Sequence, residues 1–184
     1  MKRLRLLPAA LTALVLLSCV CAAQTPAEKE AARVATREKL RALLAASGPK
    51  KGIEIPFRQS DKQPFNFVGV RRGGFTNAEG FEVVIGVSND ETIGFRIYPY
   101  YKGGYINVDK ARNGVGLMRK LLNINDHNFL FWGADDTGDV FAGYTFTLES
   151  GFPDKAIEIV LYSIGPLDQY VGQMRPFIDG TSAP

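Results

Sequence analysis

The spacing of apolar residues predicts a mixed chain in which helical and extended segments follow one another. Apolar side chains occupy every second position over 81–87 and again over 93–97. Such alternation is typical of strands with one buried face. The turn-forming residues at 88–91 predict that these two strands pair as an antiparallel hairpin. Shorter segments of the same kind predict strands at 65–71, 105–108, 129–132 and 140–148.

Helical spacing precedes the first strands. Thr25 is followed by a proline and by Glu28, which is the pattern of a capped helix start. We expect this helix to run to Ser47. Gly48 and Pro49 should end it, the glycine because it can adopt the left-handed conformation and the proline because it cannot continue the hydrogen-bond ladder.

Two further helices are expected after the first strands. One covers 113–123 and carries apolar residues on one side, namely Val115, Met118, Leu121 and Leu122. The other covers 154–175, with a kink or a junction of two helices at Gly165 and Pro166 because proline removes a helical hydrogen bond.

This order of elements predicts an α+β fold. Strands joined by short turns pair antiparallel, and an alternating pattern fits a sheet with one face covered by helices. We therefore expect an antiparallel sheet of five or more strands packed by helices. The predicted division is an N-terminal helix over 24–50 and an α+β domain over 51–180.

The first 23 residues predict a secretory signal peptide. A basic start is followed by an apolar stretch and by small residues before Gln24. The formal net charge of +3 comes from this start, because the Lys and Arg residues after it equal the Asp and Glu residues in number. A mature form therefore lacks the basic excess that nucleic-acid binding relies on, and we expect no nucleic-acid partner.

Two processing routes remain open. Cleavage before Gln24 would release a periplasmic or secreted protein. The sequence ending at Cys19 also resembles a bacterial lipobox, in which Cys19 would become the acylated first residue of a lipoprotein anchored to the envelope. A membrane partner is expected only in that second case.

The mature chain offers few residues for catalysis. Both cysteines lie in the signal segment, so residues 24–184 contain no thiol nucleophile, disulfide or cysteine metal ligand. His127 is the single histidine, and we interpret it as a surface residue. Asp135, Asp136 and Asp139 could hold a hard cation, but the loop lacks the EF-hand register, and we favour a hairpin turn as their explanation. We predict a protein that is not an enzyme and has neither cofactor nor metal site.

A tyrosine-rich segment is the main candidate for recognition. Tyr98, Tyr100, Tyr101 and Tyr105 lie within eight residues, beside two glycines. Exposed tyrosines provide stiff contact area with a polar tip, which suits a binding surface. Alternatively, two or three of them pack at the sheet edge as part of the core. Trp132, on the aromatic strand at 129–132, completes the candidate binding residues.

Five features between Arg112 and Met174 occur in a characteristic order: an Asn-rich helix end, an aromatic strand, a tight acidic turn, a strand rich in Thr and aromatics, and a closing helix. They occupy 121–125, 129–132, 135–139, 144–148 and 167–170. In these features the chain resembles the YbjN family of bacterial proteins. The resemblance implies a fold similar to the type III secretion chaperones, and a binding or chaperone-like scaffold without recognised catalytic residues.

Together these observations predict an exported bacterial envelope protein that binds a protein or peptide partner through a sheet face or edge, alone or as a homodimer. Two alternatives belong to other classes. One is a hydrolase that acts on an envelope glycan through paired carboxylates such as Asp135 and Asp139. The other is a passive structural lipoprotein anchored through Cys19.

Overall fold

The computed structural model describes residues 25–180, and the predicted signal peptide over 1–23, with Cys19, lies outside the described residues. The helices are α1 (Pro26–Ser47), α2 (Gly114–Asn125), α3 (Asp154–Ser163), a 3-10 turn (Gly165–Leu167) and α4 (Asp168–Asp179). The strands are β1 (Arg58–Gln59), β2 (Asn66–Arg72), β3 (Gly80–Val87), β4 (Thr92–Tyr101), β5 (Gly104–Tyr105), β6 (Phe131–Ala134) and β7 (Val140–Thr147).

The strands form one antiparallel sheet of seven strands, in the order β1-β2-β3-β4-β7-β6, with β5 paired to the end of β4. The predicted β3–β4 hairpin is confirmed, with Val83 opposite Ile97. The β6–β7 hairpin joins the same sheet through the pairing of β7 with β4. The α+β class and an antiparallel sheet of more than five strands are therefore confirmed.

The two faces of the sheet differ in burial. Phe81, Val83 and Ile85 of β3 point to the face that packs against the helices and are fully buried. Burial of one such side chain contributes about 1.5–3 kcal/mol to folding. Their neighbours Glu82 and Val84 point to the opposite face and are only half-buried. We call that opposite side of the sheet the open face.

Helix α1 begins with the predicted capping box. The Thr25 hydroxyl accepts a hydrogen bond from the Glu28 backbone N–H, and the Glu28 carboxylate accepts one from the Thr25 N–H at 2.8 Å. The helix ends before Gly48, but the expected left-handed cap is wrong, because Gly48 has a φ of −53°. The residue is small for a different reason: a Cβ there would overlap the Ile55 carbonyl oxygen.

Helix α2 buries a different face from the one predicted. Its buried side chains are Leu117, Leu121 and Ile124. Of the expected stripe only Leu121 is buried, whereas Val115, Met118 and Leu122 are 68%, 41% and 65% exposed. The spacing fits either assignment of the face, and the contacts of α2 with β6 and α4 decide between them.

The C-terminal helical segment is divided as predicted. Helix α3 ends at Ser163, Pro166 lies in the 3-10 turn, and α4 starts at Asp168. The apolar stripe continues through the junction, since Ile164 and Leu167 are both buried. Two abutting helices therefore cover the inner face of the sheet in place of one long helix.

Candidate functional site

The open face contains a shallow depression where side chains are missing from the sheet. Gly86 of β3 is paired with Gly94 of β4, and Gly94 is paired with Thr145 of β7. A Cβ placed on Gly94 would meet no atom within 4 Å. The resulting hollow has a volume of about 410 Å³, and Asn66, Arg96 and Phe131 are among its lining residues. Glycine inside a strand often marks a close approach by another molecule.

Aromatic rings cross the open face from the end of β4 to β6. Tyr100 stacks on Tyr105 with 4.9 Å between ring centroids, and Tyr105 lies 5.2 Å from Tyr98. Tyr98 is followed by Phe141 at 5.7 Å and by Phe131 at 5.8 Å from Phe141. We call these five residues the aromatic row. Its last member, Phe131, is 45% exposed and stands at the rim of the depression.

Two tyrosine hydroxyls of the row donate hydrogen bonds to carboxylates. Tyr100 donates to Glu82 at 2.8 Å, and Tyr98 donates to Asp135 at 3.2 Å. Partial burial is the main cause that raises the pKa of Tyr98, Tyr100 and Tyr105 above the ordinary tyrosine value. The three phenols are therefore neutral, and the hydrogen bonds orient Tyr98 and Tyr100, so that a partner binds these two at a small cost in side-chain entropy.

Two arginines complete the open face. The Arg96 guanidinium lies 5.0 Å from the centre of the Phe141 ring, and the Arg72 guanidinium lies 5.2 Å from that of Tyr100. Both side chains are exposed. Among residues 25–180, neither has a carboxylate oxygen within 4.0 Å.

Tyr101 and Trp132 do not belong to this surface. Tyr101 points to the helical side, where its hydroxyl donates to Asp179 of α4 at 2.6 Å and accepts from Arg175 at 3.1 Å. Trp132 is 3% exposed and packs against the ring of Tyr170. The structure thus brings Tyr98, Tyr100 and Tyr105 together and places the other two candidates in the packing between sheet and helices.

The backbone N–H and carbonyl groups of Trp132 are both hydrogen-bonded to one side chain. The Asn125 amide accepts from the Trp132 N–H at 2.6 Å and donates to the Trp132 carbonyl at 3.1 Å. Because β6 is the last strand of the sheet, this amide fills the edge position that an added strand would need. The arrangement favours the face of the sheet over this edge as a binding surface.

The acidic turn between β6 and β7 is stabilised by hydrogen bonds among its own residues. Asp135 accepts hydrogen bonds from the Thr137 and Asp139 backbone N–H groups, both at 3.0 Å, and from the Thr137 hydroxyl at 2.7 Å. Burial opposes ionisation, but these hydrogen bonds outweigh it and lower the pKa of Asp135. Within residues 25–180 no group of three or more His, Cys, Asp or Glu side chains is arranged to hold a metal ion.

His127 is the single histidine of the sequence. It follows α2, and its imidazole is 80% exposed beside Asp126, with 3.4 Å between Nε2 and the carboxylate. This agrees with its interpretation as a surface residue.

Sequence reasoning missed half of the open face. Phe131, Phe141, Arg72 and Arg96 come from four different strands. Arg96 shares β4 with Tyr98, but only the strand order places the other three beside the tyrosines. A signal did exist, since Gly86 and Gly94 both stand at outward positions of the alternation, and the predicted hairpin sets them opposite each other.

Over 25–180, no helix combines the length and apolar character needed to cross a bilayer. Comparison of the chain with models of known families, with curated proteins and with solved structures found no match in any of the three. The YbjN resemblance and the chaperone-like fold that it implies therefore stay predictions.

Proposed function

We propose that this protein is an exported, non-enzymatic binding module that holds a protein or peptide partner on the open face of its sheet. The observation that carries the proposal is the aromatic row beside the glycine depression. Rigid aromatic side chains around a recess are the usual anchors of protein recognition, because they bury large area and lose little freedom.

The surface has the composition of a recognition site. The depression is lined by the apolar side chains of Phe131, Phe141 and Val84 together with the polar ones of Arg96, Asn66 and Thr145. Aromatic residues and arginine are enriched at protein interfaces. The filled edge at Trp132 adds support, because it leaves the face rather than this strand edge for contact.

A binding role also fits the acidic turn better than the hydrolase alternative does. A glycosidase needs two carboxylates facing each other across a cleft. Asp135 accepts hydrogen bonds from its own turn and from the Tyr98 hydroxyl, and Asp139 accepts hydrogen bonds from Thr137 and Asn107. These contacts favour a structural role for both carboxylates.

Export remains part of the proposal and rests on the sequence of residues 1–23. Mass spectrometry of the mature N-terminus tests it. A chain that starts at Gln24 without lipid supports release into the periplasm or medium. A diacylated or triacylated Cys19 supports the envelope-anchored form, and an uncleaved Met1 contradicts export.

Site-specific photocrosslinking in the native host tests the binding face. A photoreactive amino acid at Thr145, which is exposed opposite Gly94, should yield one discrete protein adduct. The same amino acid at Lys39, exposed on α1, is the matched control and should yield none. Equal adduct patterns at both positions, or no adduct at Thr145, would contradict the proposal.

A further inference from the structure

We infer that the segment recognised by the open face is an extended acidic peptide, whose carboxylates pair with Arg96 and Arg72. This inference rests on the proposed function and adds the chemistry of the partner. It follows from a comparison of the contacts that the carboxylates and the arginines of the open face make within the protein.

The carboxylates of this face already have partners within the protein. Glu82 accepts from Tyr100, and Asp135 accepts from Tyr98 and from its own turn. The arginines differ, because among the described residues neither guanidinium lies within 4.0 Å of a carboxylate. Neither Glu82 nor Asp135 makes an ion pair, but both accept hydrogen bonds from the protein, whereas no carboxylate of the described residues pairs with either guanidinium.

The arginines are held in positions that suit a bound carboxylate. Each guanidinium lies close to the centre of an aromatic ring, 5.0 Å from that of Phe141 for Arg96 and 5.2 Å from that of Tyr100 for Arg72. This stacking orients the planar fork of N–H donors, which matches the two oxygens of a carboxylate. A neutral amide side chain offers one acceptor oxygen to each fork, whereas a carboxylate offers two and carries the opposite charge.

The sheet geometry sets the length of the segment. Arg96 and Gly94 point to the same face of β4 two residues apart, so a side chain that fills the depression lies beside Arg96. Arg72 lies opposite Gly80, which lies opposite Tyr100. Four residues along β4 and two strands across it separate the two arginines by roughly 16 Å. Successive side chains of an extended peptide point to opposite faces, so two acidic side chains that both face the sheet are an even number of residues apart. A spacing of four residues covers about 13 Å, and the flexible Glu and Arg side chains cover the rest.

A paired peptide library tests the inference. One library of labelled octapeptides fixes Glu at the second and sixth positions and varies the three between them, and its twin fixes Gln at the same positions. Sequences enriched on the purified protein are then measured by fluorescence anisotropy. We expect the Glu peptides to bind about five- to tenfold more tightly than their Gln twins.

Protein variants link this preference to the arginines. R96Q should abolish most of the difference between Glu and Gln peptides, and R72Q should reduce it. R119Q, at an exposed arginine of α2 that makes no ion pair among the described residues, is the matched control and should leave the difference unchanged. Circular dichroism checks that all three variants are folded.

Several results would overturn the inference, and they separate it from the proposed function. Equal affinity for Glu and Gln peptides, with a Thr145 adduct still formed, overturns the acidic preference and leaves the binding face standing. Binding of polygalacturonate in place of any peptide, with dependence on Arg96, replaces the peptide by an acidic glycan. A dimer that R96Q dissociates replaces it by a second copy of the chain. If no peptide binds and Thr145 gives no adduct, both proposals are wrong.

Discussion

Asp168, the first residue of α4, fixes the loop between β2 and β3 to the helical layer. One carboxylate oxygen accepts from the Asn77 and Ala78 backbone N–H groups at 2.9 and 2.7 Å. The other accepts from the Thr76 N–H at 2.9 Å and from the Asn77 side-chain amide at 3.2 Å. Substitution of this one residue therefore removes the acceptors of three successive backbone donors.

The size of the effect follows from these contacts. A hydrogen bond to a charged group contributes about 1.5–3 kcal/mol, and the donors left behind in D168N face an amide that offers only one oxygen. Because the site is half-buried and water reaches part of it, we expect D168N to lower the free energy of unfolding by about 2–4 kcal/mol. That is a large part of the 5–15 kcal/mol typical of a domain.

Denaturant unfolding measures this change directly. Trp132 is the single tryptophan and is buried, so its fluorescence reports the folded core. D154N is the matched control, because Asp154 also begins a helix but bonds only the adjacent Lys155 N–H. It should change the free energy of unfolding by no more than about 0.5 kcal/mol. A D168N value as small as that of D154N would refute the reasoning.

Two further predictions concern pH. Burial raises the pKa of Tyr98, Tyr100 and Tyr105, so the stability that they contribute is present below pH about 10 and lost as pH rises further. Absorbance titration near 295 nm should show a late phase that Y105F diminishes, and an unchanged curve would contradict this. The hydrogen bond from Lys102 lowers the pKa of Asp179, so its contribution is present above pH about 4 and lost in acid. K102A should therefore be less stable than the parent near neutrality and approach it below pH about 4, whereas a constant difference in unfolding free energy would count against the assignment.

Local patterns were sufficient for the elements whose neighbours lie close in sequence. The β3–β4 hairpin follows from strict alternation and a turn, and the α1 start follows from Thr25 and Glu28 alone. The exposed stripe of α2 shows that such local patterns do not determine which face of a helix is buried. Both faces of that helix carry apolar residues, and only the later strand β6 and helix α4 determine which face is covered.

The tyrosine segment shows the same limit at the candidate site. The apolar alternation of this strand ends at Ile97, whereas β4 continues through Pro99 to Tyr101. Since side chains alternate along a strand, Tyr98 and Tyr100 reach the open face and Tyr101 reaches α4. Phe131 and Phe141 join the tyrosines only because β7 pairs with β4, a long-range contact that no local pattern contains.

The most direct test of the binding face is to fill its depression. G94V adds a side chain where a Cβ meets no atom within 4 Å, so the variant should fold. T147V places the same side chain at an exposed position of β7 opposite Thr92 and is the matched control. With the photoreactive amino acid at Thr145, we predict that G94V abolishes the partner adduct and that T147V keeps it. An adduct of equal yield in both variants would contradict the account.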